Sequence, residues 1–328
     1  MAVPGGRASR IMGLGAYRPA RAVSNAEVCE LIDSDDEWIR RRTGIVSRRF
    51  AGPDEDVVSM AVEAGARALE QAGLPGSRLD TIVLASMTHL QQSPGAAPQV
   101  AHRLGSRAAA MDVNAACAGF CHGLAVADSL VRSRTADHVL VIGSDKMTDV
   151  IDPTDRSTAF LFADGAGAVV VGPSESMGIG PVAWGSDGDL HHLIAHSASW
   201  LELRDKPDLP WPTMRMAGQE VFRWTTREVP ATARTALALA GLAPADLAAF
   251  IPHQANLRII EKVAKEIDLP PHVAIARDIV TAGNTSAASI PLAMAQLVES
   301  GEVADGGAAL LIGFGAGLTQ AAQVVQLP

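Results

Sequence analysis

Cysteine is scarce in this chain. Its 328 residues hold three, Cys29, Cys117 and Cys121, too few and too clustered for a disulfide framework or a four-ligand zinc site. Aromatic residues make up 4%, with a single tyrosine, and there are only four lysines. No apolar run reaches the roughly 18 residues that a membrane span needs; the longest, such as residues 306–318, are interrupted by glycines. Residues 1–10 carry two arginines with no apolar segment behind them, so no secretory signal is read and a cytoplasmic protein is expected. The net charge of −9 removes any global electrostatic reason to bind nucleic acid or an anionic membrane. Any basic site must be local. What is present, 48% hydrophobic and 19% charged residues, suits a globular protein of about two structural units.

The chain repeats itself. Residues 68–86, ALEQAGLPGSRLDTIVLAS, resemble residues 236–254, ALALAGLAPADLAAFIPHQ, at an offset of 168. Each copy reads as a helix, a glycine stop and a buried strand. Residues 114–143 and 284–313 form a second pair at an offset of 170, in which an Asn opens a small-residue helix leading to a strand, VLVIG or ALLIG. Offsets this close make the repeat a half-chain rather than a solenoid unit. Helix–strand alternation predicts mainly parallel sheets covered by helices. The small residues along 115–127 and 287–295 suit two helices lying close together in a buried middle layer. The expected architecture is therefore α/β, a duplicated five-layered α-β-α-β-α stack with halves 1–172 and 173–328. The polar stretch 187–212 reads as an insertion with short elements of its own that shapes a substrate entrance.

Three residues carry candidate chemistry. Cys117, in DVNAACAGF, stands where a strand hands over to a helix; the positive end of the helix dipole and unpaired N–H groups there are expected to lower its pKa and stabilise an oxyanion. Read plainly, it is also a small residue in an Ala-rich helix. His253 follows the apolar strand AFIP, and the repeat places it opposite Ala85 at the carboxyl end of the equivalent strand, where ligands collect in α/β sheets. Asn284, in AGNTSAAS, matches Asn114; taken alone it is a helix cap. Cys121, one turn beyond Cys117, and Cys29 read as packing residues. His191, His192 and His196 cluster without a partner acid, and no metal site is expected.

The motifs DVNAACAGF, PHQANLRII, GNTSAASIP and GFGAG, in this order and nearly end to end, closely resemble the active-site motifs of β-ketoacyl-acyl carrier protein synthase III, a thiolase-fold family. The resemblance implies a thiolase-like fold and a Cys117–His253–Asn284 triad that joins an acyl-CoA starter to malonyl-acyl carrier protein by decarboxylative condensation through an acyl-Cys intermediate. It further implies an oxyanion hole from the backbone N–H groups of Cys117 and Ala316, the latter at a position where relatives often carry Gly. DDEWIRRRTGI resembles the family's CoA-binding segment and points to Trp38 and Arg42. DPTDRST points to Arg156, and the family pattern places Phe162 and Gly218 around the pantetheine tunnel. Arg223, Arg258 and Lys265 fall where relatives dock the acidic carrier protein. The resemblance implies a homodimer and no cofactor, acyl-CoA being a substrate. THLQQSPGAA resembles the pocket segment with extra residues between His89 and Pro94 and has no bulky aromatic there, so a starter larger than acetyl is expected.

Related chemistries can be weighed by residue. A degradative thiolase needs a second cysteine in its C-terminal half, and none follows Cys121. Elongating ketosynthases use a second His where Asn284 stands. Papain-like proteases share the order Cys, His, Asn but have neither these motifs nor a duplicated α/β core. A priming ketosynthase or starter-unit acyltransferase of a polyketide pathway stays open, as does a binding-only role, which the complete triad argues against.

Overall fold

The computed structural model describes residues 7–328. Two five-stranded sheets stack face to face. In the first the spatial order is Ala8–Tyr17, Asp164–Ser174, Val139–Lys146, Thr81–Ala85 and Ala109–Val113; in the second it is Ala274–Ile275, Ala249–Pro252, Ala308–Gly315, Thr319–Gln326 and Ala183–Ser186. Between them lie the helices Gly119–Arg132 and Ser289–Glu299, which share one buried cluster with the inner faces of both sheets. The helices Val57–Ala72 and Ala97–Arg103 cover the outside of the first sheet, and Gly218–Ala240 and Leu257–Glu266 the outside of the second. This is the five-layered stack expected from the repeat.

Local chemistry fixes the repeated units. Helix Val57–Ala72 opens on a reciprocal Asp56–Ser59 cap and stops at Gly73 with φ 65°; helix Gly218–Ala240 stops in the same way at Gly241 with φ 69°. Each left-handed stop satisfies carbonyls that the helix end leaves open. In both copies a short 3₁₀ turn then leads into a wholly buried strand, Thr81–Ala85 or Ala249–Pro252.

One expectation is corrected. The sheets are not mainly parallel: in each, two neighbouring pairings are parallel and two antiparallel. The reason lies in the connections. A parallel return needs a crossover of a dozen or more residues, usually helical, but only three residues separate strand Ala308–Gly315 from Thr319–Gln326. In the first half a single 3₁₀ turn, Met147–Asp149, stands between Val139–Lys146 and Asp164–Ser174.

The two halves meet most closely at a reciprocal contact. A Cβ added to Gly143 would come within 2.3 Å of the Ala287 carbonyl oxygen, and one added to Gly313 within 2.9 Å of the Ala118 Cα. Each central strand thus lies, at its glycine, directly on the turn that opens the middle helix of the other half. Gly143→Ala should destabilise the protein by about 1–3 kcal/mol through overpacking, measured by denaturant unfolding. Gly188→Ala, whose added carbon would meet nothing within 4 Å, should leave stability unchanged; equal stability of the two variants would contradict the contact.

Candidate active site

The strand Ala109–Val113 ends one residue before Asn114, and the chain turns through the 3₁₀ segment Ala116–Ala118 into helix Gly119–Arg132. Ala116 adopts the left-handed φ of 46°, a conformation costly for a residue with a Cβ. The Asn114 side chain holds it there, Oδ1 accepting the Ala116 N–H at 3.2 Å. The turn sets Cys117 at the start of the helix, where early N–H groups lack intrahelical partners, and on the wall of a cavity of about 570 Å³.

The expected lowering of the thiol pKa is reversed. Burial pushes Cys117 up to about 12, and the neighbouring Asp145 charge acts in the same direction. The adjacent Ser286 hydroxyl opposes the shift, although it has no partner in hydrogen-bonding geometry. Desolvation of an anion outweighs the helix terminus, so the resting group is a thiol and the helix acts on negative charge only as that charge forms.

His253 stands at the end of strand Ala249–Pro252, and its N–H donates to the Ile312 carbonyl at 2.8 Å. The ring is buried against the edge of Phe314. Burial pushes its pKa down to about 3, so it is neutral. Its Nδ1 lies 2.7 Å from Ser289 Oγ, which also receives the Gln254 N–H at 3.3 Å. The Gln254 N–H takes one of the two Ser289 lone pairs; a hydroxyl proton turned to Nδ1 is the arrangement that puts the ring proton on Nε2.

The Asn284 side chain is oriented by the same logic. Its Oδ1 accepts the Ser286 N–H at 2.9 Å, leaving the amide NH₂ free to donate. Its main chain is clamped to the neighbouring segment, the N–H donating to Leu161 O and the C=O accepting from Ala163 N–H. That clamp is the bridge between Phe162 and Asn284. At the end of strand Ala308–Gly315, a Cβ on Gly315 would lie 2.9 Å from both Cys117 N and Cys117 Cβ, so only glycine lets Ala316 approach the thiol.

Cys117, His253, Asn284 and Ala316 line one cavity together with Trp38, Arg42, Arg156, Phe162, Gly218, Arg223 and Arg258. Its floor is buried and its mouth cationic: the Arg156 and Arg42 guanidinium carbons sit 5.0 and 5.6 Å from the Trp38 ring centre. Arg258 lies over Phe222, and Arg223 pairs with Glu220 at 3.3 Å. Lys265 is two turns beyond Arg258 on helix Leu257–Glu266 and does not line the cavity. Nor do Cys121, which is buried against Gly313, and the half-buried Cys29. Among the described residues no group of three His, Cys, Asp or Glu is placed to hold a metal, the His191–His196 stretch included.

Some lining residues were not singled out in the sequence. Ile194, Met214 and Met216 come from the insertion and its edge, whose short elements include the paired strands Ile194–His196 and Met214–Met216. Met87 lines the cavity from two residues past strand Thr81–Ala85, and Ala255, 168 positions later, does so from three residues past strand Ala249–Pro252; the repeat carried that signal. Ser289 lies inside the GNTSAASIP motif, but its contact with His253 spans 36 residues and has no local signature. The loop 89–95 contributes nothing to the cavity within one chain.

With its pKa lowered from the usual 6.5, His253 stays neutral above about pH 3. The unfolded chain binds the extra proton between about pH 3 and 6.5, so this residue's contribution to stability is present above 6.5 and declines as pH falls through that window. Nitrogen-15 NMR should show the Nε2–H tautomer with no titration between pH 5 and 9. Ser289→Ala should mix the tautomers, and an Nδ1–H tautomer in the parent would refute the assignment.

Two family models match: the 3-oxoacyl-[acyl-carrier-protein] synthase III C-terminal model over residues 237–327 and the 3-oxoacyl-[acyl-carrier-protein] synthase III model over residues 111–188. The β-ketoacyl-[acyl-carrier-protein] synthase III 1 of Streptomyces coelicolor is 50% identical, the match covering 98% of this chain and 96% of that protein. The priming β-ketosynthase of the R1128 polyketide biosynthetic pathway superposes with a TM-score of 0.98 at 50% identity, over 100% of this chain and 98% of that one. The 3-oxoacyl-(acyl carrier protein) synthase III of Pseudomonas aeruginosa PAO1 superposes with a TM-score of 0.91 at 39% identity, over 98% and 99%. A duplicated thiolase-like core, a buried cysteine at a helix start and matches of this extent lead to one conclusion: the chain belongs to the β-ketoacyl-acyl carrier protein synthase III family, condensing enzymes of the acyltransferase type that set the starter unit of fatty-acid or polyketide chains.

Proposed function

We propose that this protein condenses an acyl-CoA starter with malonyl-acyl carrier protein, with Cys117 as nucleophile and His253 and Asn284 as the decarboxylation pair. The observation that carries the reading is the floor of the cavity, where a thiol at a helix start shares one wall with two neutral side-chain donors, each turned toward the cavity by a tethered acceptor atom. Trp38, Arg42 and Arg156 hold the nucleotide of CoA at the mouth, and Phe162 and Gly218 flank its pantetheine arm. Cys117 Sγ attacks the thioester carbon while the N–H groups of Cys117 and Ala316 receive the developing oxyanion. Collapse breaks the bond to CoA sulfur, which leaves with the proton lost by the cysteine, and the acyl-enzyme remains. Malonyl thioester then enters and loses carbon dioxide. The electron pair moves onto its thioester oxygen, where His253 Nε2–H and the Asn284 amide hold it without either donor having to change charge. The carbanion attacks the acyl-Cys carbonyl, the bond to Cys117 Sγ breaks, 3-oxoacyl-carrier protein departs, and the expelled thiolate takes a proton from solvent to restore the thiol.

The protein is proposed to act as a cytoplasmic homodimer without a cofactor. Strand Ala109–Val113 is paired on one side only and exposes Met111, an edge suited to a second copy. No helix among the described residues is long and apolar enough to cross a membrane. A second reading, priming of a polyketide pathway, is favoured by the 50% identity and TM-score of 0.98 with the R1128 priming ketosynthase; the two differ in the starter taken.

Intact-mass and peptide mapping after exposure to acyl-CoA should find the acyl group on Cys117 and nowhere in Cys117→Ala. Label on Cys121 or Cys29 would remove the nucleophile assignment. Offered acetyl-, butyryl-, isobutyryl- and isovaleryl-CoA at equal concentration, the enzyme should favour four- or five-carbon starters by about tenfold, at about 0.8 kcal/mol per buried CH₂. Preference for acetyl would mean that neighbouring side chains such as Met87 fill the space.

Arg223, Arg258 and Lys265 are proposed to dock the acidic carrier protein. Reversal of any one to Glu should raise KM for malonyl-carrier protein about 3- to 10-fold and leave acylation by acyl-CoA within twofold. Added salt should reproduce the defect in the parent. Unchanged carrier kinetics in all three would place docking elsewhere.

A further inference from the structure

Each part of the turn that carries Cys117 has a counterpart 170 positions later. Asn114 and Asn284 both tether the N–H two residues on, at 3.2 and 2.9 Å. Ala116 and Ser286 both adopt left-handed φ, 46° and 52°. Ala118 N–H donates to Ala115 O at 3.0 Å, and Ala288 N–H to Thr285 O at 3.1 Å. The two turns are one structure made twice. Cys117 corresponds to Ala287, and Gly315, bare beside Cys117, corresponds to Asp145.

Asp145 is wholly buried. Its Oδ2 accepts the Ala287 N–H at 3.0 Å. Its Oδ1 accepts Met87 N–H at 2.9 Å and faces Ser86 Oγ and Thr88 Oγ1 at 3.0 and 2.9 Å. Thr88 Oγ1 already accepts from Lys146 N–H, and Ser86 Oγ from Thr88 N–H, so both hydroxyls have their protons free for the carboxylate. Four donors converge on an acceptor-only group, although burial pushes its pKa above the ordinary carboxylate range. A carboxylate oxygen therefore sits permanently on the Ala287 N–H, the counterpart of the Cys117 N–H to which the proposed chemistry brings an oxyanion only in passing.

We infer that Asp145 is a positioning residue for the condensation: from the closed counterpart of the oxyanion hole it fixes the Ser286–Ala288 turn, and through Ser286 the Asn284 amide, while its other oxygen ties down the Met87 wall of the cavity. The inference rests on the assignment of Asn284 to decarboxylation. It predicts that loss of Asp145 slows the second half-reaction and not the first, because Cys117 and its own turn are anchored by Asn114, and the one effect of the Asp145 charge on the thiol is to raise its pKa, which its removal relieves.

Asp145→Asn is isosteric. With its amide oxygen kept on the three first-half donors, the NH₂ faces the Ala287 N–H and that bond is lost. Malonyl decarboxylation should fall about 30-fold, the scale expected for misplacing a reacting group by a fraction of an ångström to one ångström, while acylation of Cys117 stays within threefold. Asp145→Asn combined with Asn284→Ala should decarboxylate no more slowly than Asn284→Ala alone, since groups acting as a unit are not additive. Equal losses in the two half-reactions, or full additivity in the double variant, would overturn the inference. Should Asp145→Asn not fold, Ser86→Ala and Thr88→Val each remove one support from the carboxylate and should show the same bias at smaller size; an even loss there overturns it too. A parent enzyme that does not load Cys117, or whose decarboxylation ignores Asn284→Ala, would bring down the functional reading itself. A parent that passes both tests while Asp145→Asn shows no bias would remove only the role of Asp145.

Discussion

The structure depends on the back-to-back contact of two strained turns. Each has a left-handed residue whose N–H an Asn side chain tethers, and each is pressed against a glycine within the other half's central strand. This close approach is possible only without a Cβ at residues 143 and 313. It lets two helices of small residues share the middle layer, and it brings Cys117 from one half within reach of His253 and Asn284 from the other. Strain at the turns is held by packing on both sides, so Cys117 and Asn284 each sit within two residues of a left-handed backbone position that the fold holds in place.

Electrostatics divides the cavity. The floor suppresses charge: burial raises the thiol of Cys117 and lowers the imidazole of His253 until both are neutral at rest. The mouth collects cations around Trp38. An anion is thus attracted where water can still reach it, whereas negative charge arising deeper in the cavity meets fixed dipoles rather than mobile ions. Such dipoles need no reorganisation as the charge appears.

Much of this was legible in the chain. The repeat could be read because the glycine stops at 73 and 241 and the Asn-led turns at 114 and 284 are local signals, and it carried the layer order and the common end of the fold. Those positions put Cys117, His253 and Asn284 at one end of the fold; their reading as a triad came from the motif resemblance, since Asn284 alone reads as a helix cap, and all three line one cavity. Strand direction failed because it is set by what a connection lacks, here a crossover helix. The thiol pKa failed because a helix terminus is visible in sequence and desolvation is not. Ser289 and Asp145 were missed because their partners lie 36 and 142 residues away, the first within the second half and the second across the two halves, distances over which no local pattern announces a contact.

The reciprocal glycine contact also bears on how far the two halves are independent. A solitary half would expose the apolar face of its middle helix and leave its strained turn with nothing behind it, so neither half closes its own core. Sameness of backbone does not carry over into sameness of surroundings: beside Cys117 stands a bare glycine, and at the equivalent place in the other turn the Asp145 carboxylate occupies the Ala287 N–H. One scaffold thus holds one open and one occupied version of the same turn.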